Sequence, residues 1–190
     1  GGLELFIDFV KSAFNPKIDR EIINILIIRL HETLLISLTS WIVSIISGTI
    51  LGIFSSDIFY KIIKIPVFIK YILRFILNII RSIHELIWFL ILIQIFGINI
   101  QIGILAICLP FIAINAKVIS EQLELISAEI IESITALNGN NLSSLITLIW
   151  FPIIKIIRSF GFYRLECSFR STAILGLFGT GGIGTSIFLS

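Results

Sequence analysis

The sequence predicts an all-α membrane protein, a polytopic bundle of helices, and three observations predict it. Of the 190 residues, 57% are hydrophobic and only 14% are charged, well short of the quarter that soluble domains carry. Mean hydropathy is +1.09. Charge-free runs recur at the length of a bilayer crossing, about 20 residues per helical span. A single soluble core would not need runs of that kind.

The formal net charge is +2, and the basic residues are dispersed, which argues against nucleic acid or an anionic surface as the main partner. Cys108 and Cys167 lie in apolar surroundings without C-x-x-C or His-Cys spacing, so both read as buried structural thiols. No methionine occurs, which reads as a trimmed piece of a longer protein. Glu4 and Asp8 interrupt the first apolar stretch and no small-residue cleavage site follows, so no signal peptide is expected.

Residues 1–31 mix charges of both signs around Asn15-Pro16 and read as an extracytoplasmic, interfacial lead-in. Thr33 to Ser56 is free of charge and is the first span. Its small residues Ser37, Ser40, Ser44, Ser47, Gly48 and Gly52 are spaced to let another helix approach closely. Residues 57–81 set Lys61, Lys64, Lys70, Arg74 and Arg81 against Asp57 alone, with Pro66 near the middle. Such an excess of cations marks the cytoplasmic side, and a snorkelling interfacial helix would carry it.

Leu86 to Ala116 is again uncharged, yet at about 1.5 Å per residue one straight helix would overshoot a hydrocarbon core of about 30 Å. Gly97 and Asn99 mark the break, predicting neighbouring antiparallel spans over 78–96 and 101–119, the second with Pro110 as a kink. Residues 117–141 carry Lys117, Glu121, Glu124, Glu129 and Glu132 and end in Asn138-Gly139-Asn140-Asn141, a polar helical segment back on the cytoplasmic side. With Pro152 opening a helix, a last span covers 153–175 and holds Glu166 and Arg170 at i, i+4, close enough to pair. Charges inside a span face a polar interior and mark a functional hypothesis.

Gly179-Thr180-Gly181-Gly182-Ile183-Gly184 satisfies G-x-G-x-x-G, but the dinucleotide fingerprint needs a preceding strand and an acidic residue about 20 positions on. Neither is present. A tight turn at Gly181, Gly182 and Gly184 with close helix packing is the better reading. No P-loop occurs, and His31 and His84 lack a third ligand at metal spacing, so neither a metal site, a bound cofactor nor a catalytic constellation is expected.

Three stretches carry a resemblance. They are His31-Glu32-Thr33-Leu34; Arg81-Ser82-Ile83-His84-Glu85-Leu86; and Phe162-Tyr163-Arg164-Leu165-Glu166 through Arg170-Ser171-Thr172 to Gly181-Gly182-Ile183-Gly184. In this order and spacing, over most of residues 31–184, the chain resembles the membrane permease subunit of bacterial ABC importers of the phosphonate type. The family usually has proline in place of His84. A fourth, looser correspondence is the cytoplasmic coupling loop: Gly139, Ile149, Phe151 and Pro152 keep the glycine-to-proline spacing, while Glu132 falls one residue early and Ser133 and Ile134 stand for alanines.

The resemblance implies a type I, methionine-permease-like core over residues 32–190, with the coupling loop at about 120–152 and the family's first helix and final span missing. It also implies partners: a second permease copy, a cytoplasmic subunit that binds and hydrolyses ATP, an extracytoplasmic solute-binding protein, and the lipid bilayer of the bacterial inner membrane. Glu132, Gly139 and Pro152 would couple to the ATPase subunit. Arg164, Glu166, Arg170, Arg81 and Glu85 are candidates for lining the path, with Glu166 and Arg170 either facing the solute or only neutralising each other. The solute implied is a phosphonate, phosphite or phosphate. Alternatives are another small solute such as methionine, or a structural membrane subunit that transports nothing.

Overall fold

The computed structural model describes residues 20–63, 66–126, 128–138, 141–182 and 184. These residues are helical with no strand among them: α1 (Arg20–Ser55), α2 (Asp57–Ile63), α3 (Phe68–Ser82), α4 (Glu85–Phe96), α5 (Ile100–Glu124), α6 (Ala128–Asn138), α7 (Asn141–Ile156), a π-helical turn (Ile157–Gly161), α8 (Phe162–Leu175) and a second π turn (Gly176–Thr180). Three stretches, Ile23–Ser55, Ile100–Glu124 and Ile146–Thr180, are long and apolar enough to cross a membrane, and α3 with α4 makes a fourth if the bent pair counts as one span. The expected all-α polytopic architecture stands.

α1 and α5 form the central seam. Ser37, Ser40 and Ser44 are fully buried along it, and each hydroxyl donates to a carbonyl three or four residues back, which removes the cost of placing a polar group there. Gly48 and Gly52 complete the stripe. A Cβ at Gly48 would lie 2.5 Å from Asn115 Cβ, and one at Gly52 would lie 2.8 Å from Ile119 Cβ, so only glycine permits this approach. Asn115 Nδ2 donates to Ser44 O across the seam at 3.1 Å. On another side α8 packs against α1, with Ser168 Oγ donating to Ser37 O at 2.9 Å, and Trp41 Nε1 donates to Gly161 O in the π turn at 2.6 Å. Ile42, Val43, Ile46 and Ile50 stay exposed, as a lipid-facing side should.

Several sequence expectations need correction. The first span is part of a longer helix that already begins at Arg20 and runs unbroken past position 31. The span expected over 78–96 is two helices, α3 and α4, bent by 92°. The break falls at Ile83 and His84, both extended, and His84 caps α4 by accepting from Leu86 N–H on Nδ1 at 3.3 Å. α3 turns its polar face inward, with Lys70 and Leu77 buried, and leaves Phe68, Tyr71 and Phe75 outside, the layout of an interfacial helix. The break at Gly97 and Asn99 falls as predicted: Gly97 has φ +80°, and Asn99 Oδ1 caps α5 by accepting from Gln101 N–H at 3.4 Å. Pro152 does not open a helix but sits inside α7, which begins at Asn141. Membrane helices tolerate such a proline because neighbouring groups and local π geometry re-satisfy the backbone, and here a π turn follows.

Buried apolar residues join the elements at two ends. Ile58 and Ile62 of α2, Ile119 and Leu123 of α5, and Leu148, Ile149 and Ile156 of α7 pack together at one end. At the other, Phe89 and Leu92 of α4, Ala106, Ile107 and Phe111 of α5, and Leu175 of α8 form a second cluster. The second cluster holds α4, α5 and α8 together, and a cavity opens between these three helices.

Candidate functional site

The cavity has a volume of about 300 Å³ and is lined by His84 and Glu85 at the start of α4, Phe111 and Ile114 of α5, and Arg164, Cys167, Arg170, Ser171 and Ile174 of α8. The i, i+3, i+7 and i+10 spacing from Arg164 through Cys167 and Ser171 to Ile174 puts four of these on one helix face. Arg164 is 8% exposed. Its guanidinium carbon lies 3.6 Å from the centre of the Phe111 ring, and among the described residues its Nε and Nη2 have no hydrogen-bond partner. Cation–π contact recovers about 0.5–2 kcal/mol, while desolvating an ion costs several kcal/mol. A cation with unmet hydrogen bonds is therefore held at the cavity wall.

Glu85 faces it from α4. Ser171 Oγ donates to Glu85 Oε1 at 2.8 Å, and Glu85 Oε2 lies 3.5 Å from His84 Nε2. Two of the stretches singled out in the sequence, one around His84-Glu85 and one around Arg170-Ser171-Thr172, therefore meet directly. The third stretch joins them from the far side of α8. Gly182 N–H donates to Glu32 Oε2 at 2.9 Å, and a Cβ on Gly182 would sit 2.5 Å from Thr33 Oγ1. Gly179, Gly181 and Gly182 all take positive φ, so the backbone folds back and docks on α1 at Glu32 and Thr33. Gly184 is packed against Ala173, Gly176 and Leu177.

The path candidates divide. Arg164, Arg170 and Glu85 line one cavity. Glu166 does not line it; it accepts from Arg170 Nη2 at 3.0 Å, both side chains being mostly exposed. Arg81 lies elsewhere, donating to Asn78 Oδ1 at 3.0 Å in a cleft of about 200 Å³ with Arg74, Lys117, Glu121 and Glu124. In that cleft Arg74 pairs with Glu124, and Lys117 lies 3.3 Å from Glu121. Of the coupling candidates, Glu132 is exposed on α6 and Pro152 sits half-buried in α7 beside Gln122, Leu125, Ile126 and Lys155. Gly139 lies outside the described residues.

Phe111 and Ser171 were not singled out from sequence as site residues. Ser171 was visible only inside its motif, and Phe111 is an aromatic in an apolar helix with no signal of its own. The described residues hold no group of three His, Cys, Asp or Glu side chains placed to bind a metal ion.

Comparison with known proteins agrees with the motifs. The chain is 28% identical over 111 residues to the phosphite transport system permease protein PtxC of Stutzerimonas stutzeri, a match covering 58% of this chain and 40% of that protein. It is 29% identical over 84 residues to the putative cryptic phosphonate transport system permease protein PhnE2 of Escherichia coli strain K12, covering 44% of this chain and 69% of that one. It is similar to phosphonate-type ABC permeases. With its apolar helices, this makes it a multi-pass protein of the inner membrane. The chain thus spans less than half the length of the first of these relatives. No family model matches it, and no solved structure does.

Proposed function

We propose that this chain is one permease half of an ATP-driven importer for phosphorus oxyanions, phosphite or a phosphonate first and phosphate next. The reading draws on the two relatives, which are named as phosphite and phosphonate transport permeases. The single observation that carries it is Arg164, buried at a cavity wall with two nitrogens unpartnered among the described residues. A guanidinium offers a planar fork that fits oxyanions bidentately, and a fixed cation in a low-dielectric region gives a crossing anion a foothold. The Phe111 ring and Glu85 offset part of the cost of keeping that charge buried, and a bound anion would offset more.

In this reading the chain catalyses no chemistry. A second copy completes the path, a solute-binding protein delivers the anion, and ATPase subunits docked near Glu132, Gly139 and Pro152 bias the bundle between two openings. ATP and the loaded binding protein then favour different states, and each changes the affinity for the other by the same factor. The test is uptake of labelled phosphite by cells whose own copy has been deleted. Restoration by the wild-type gene and loss with Arg164→Ala at normal membrane abundance is the expected result. Normal uptake in the deletion strain would mean a structural subunit instead.

A further inference from the structure

We infer that Glu85 makes the cavity selective for an oxyanion that still carries a P–OH proton, so that monoprotonated phosphorus oxyanions enter and sulfate does not. The inference rests on the reading of this cavity as an anion path. Its walls offer both halves of such a recognition. Arg164, a lining residue, has two buried nitrogens without a partner among the described residues, and a guanidinium suits the ionised oxygens of a tetrahedral anion. The Glu85 side chain offers carboxyl oxygens as hydrogen-bond acceptors. It already takes one hydrogen bond, from Ser171 Oγ at 2.8 Å, and two carboxylate oxygens with about four lone-pair sites leave room for another.

The consequence is discrimination by protonation. A monohydrogen phosphite, phosphonate or phosphate can donate its P–OH to Glu85 while its ionised oxygens meet Arg164. Sulfate has no proton to donate near neutral pH and sets an oxygen lone pair against a carboxylate. A site built to pair a hydroxyl rejects the analogue that lacks it, because the buried group is left unpaired. A fully ionised phosphorus oxyanion is rejected for the same reason. The other charged or titratable groups at the cavity are His84, whose Nε2 lies 3.5 Å from Glu85 Oε2, Cys167, and Arg170, paired with Glu166. The Nδ1 of His84 accepts from Leu86 N–H, so it is Nε2 that faces Glu85.

Cys167 lines the same cavity and supplies the readout, since Cys108, the other free thiol, is 2% exposed and bonded to Ser40 O. The experiment measures the rate at which N-ethylmaleimide modifies Cys167 in the assembled importer in membrane vesicles, with Cys167→Ser as the blank. Phosphite should slow the reaction by about tenfold or more and sulfate by less than about twofold, as expected where one ligand satisfies a polar group and the other does not. Protection by phosphite should fall as pH rises through its second ionisation. In Glu85→Gln, whose amide both donates and accepts, sulfate should protect nearly as well as phosphite and the pH dependence should flatten, while Ser171→Ala should keep sulfate excluded. Equal protection of the wild type by both ions, an unreactive Cys167, no protection by either ion, or unchanged sulfate exclusion in Glu85→Gln overturns the inference. The wild-type arms decide it even if the variants do not assemble. Phosphite uptake that persists alongside any of these failures leaves the permease reading intact, whereas absence of phosphorus oxyanion uptake altogether removes that reading as well.

Discussion

The α1–α5 seam and the Arg164 cavity both bury polar atoms, but they treat them in opposite ways. Along the seam Ser37, Ser40 and Ser44 bond to their own helix, and Asn115 reaches Ser44 O. At the cavity Arg164 keeps two nitrogens without a partner among the described residues. These serines and Asn115 are satisfied within the fold, because an unpaired polar group costs about 1–3 kcal/mol and more when charged. Beside the seam Thr49 Oγ1 also lacks a partner among the described residues, but it is a neutral hydroxyl; the charged group left unsatisfied is the one at the cavity, placed to meet something that comes and goes.

Four changes break or sharpen that contrast. The largest effect belongs to Arg164→Met, which should lower phosphite uptake by about 100-fold, the size of loss seen when one preorganised charge-stabilising donor is removed. Thermal unfolding in detergent should show no loss of stability, because replacing a buried unpaired charge with an apolar side chain is neutral or stabilising. A clear drop in the unfolding midpoint would make Arg164 a structural residue like those of the seam. Next comes Gly48→Leu, which drives a side chain into Asn115. Overpacking should cost about 1–3 kcal/mol, and uptake should fall only as far as the amount of folded protein does.

Arg170→Ala tests the exposed pair with Glu166. Such a pair contributes about 0.3–0.5 kcal/mol, so stability should hardly move, and unchanged uptake at normal abundance would leave Arg170 as only a partner to Glu166. The smallest effect lies where Lys70 pairs with Asp57 and joins α3 to α2. The hydrogen bond from Lys70 holds the Asp57 carboxyl below its ordinary value of 3.8. A carboxyl depressed on folding stabilises above its unfolded value and loses that contribution as pH falls through its folded one. The unfolding midpoint of Asp57→Asn should therefore lie slightly below the wild type at neutral pH, and the two should converge below pH 3.8.

Much of the fold was legible because a bilayer imposes a length. The charge-free run after Thr33, the serine and glycine stripe, and the break at Gly97 and Asn99 all appear in the helices as expected. The bend at His84 was hidden, since neither proline nor glycine stands there and the polar Arg81-Ser82-Ile83-His84-Glu85 stretch can equally continue a helix. Pro152 misled in the other direction, because the rule that proline starts or ends a helix weakens where neighbouring helices can supply the lost bonds. The site was legible as strings but not as an assembly. Glu85 meets Ser171 across 86 positions, and only the packing of α4 against α8 determines that. Arg81 and Arg164 carry the same charge within similar motifs, yet the bend at His84 leaves them in separate clefts.

The bond from Gly182 to Glu32 spans 150 positions, and this sets a timetable for biosynthesis. At about 5–20 residues per second, a ribosome needs roughly ten to thirty seconds to make the partner that Glu32 awaits. During that interval the carboxylate has Arg29, whose Nη1 donates to the same oxygen at 2.9 Å from one turn away. Glu32 thus has a temporary counter-ion on its own helix. The helix can enter the bilayer without a bare charge, and the glycine turn locks onto it only after the 150 positions between them have been made.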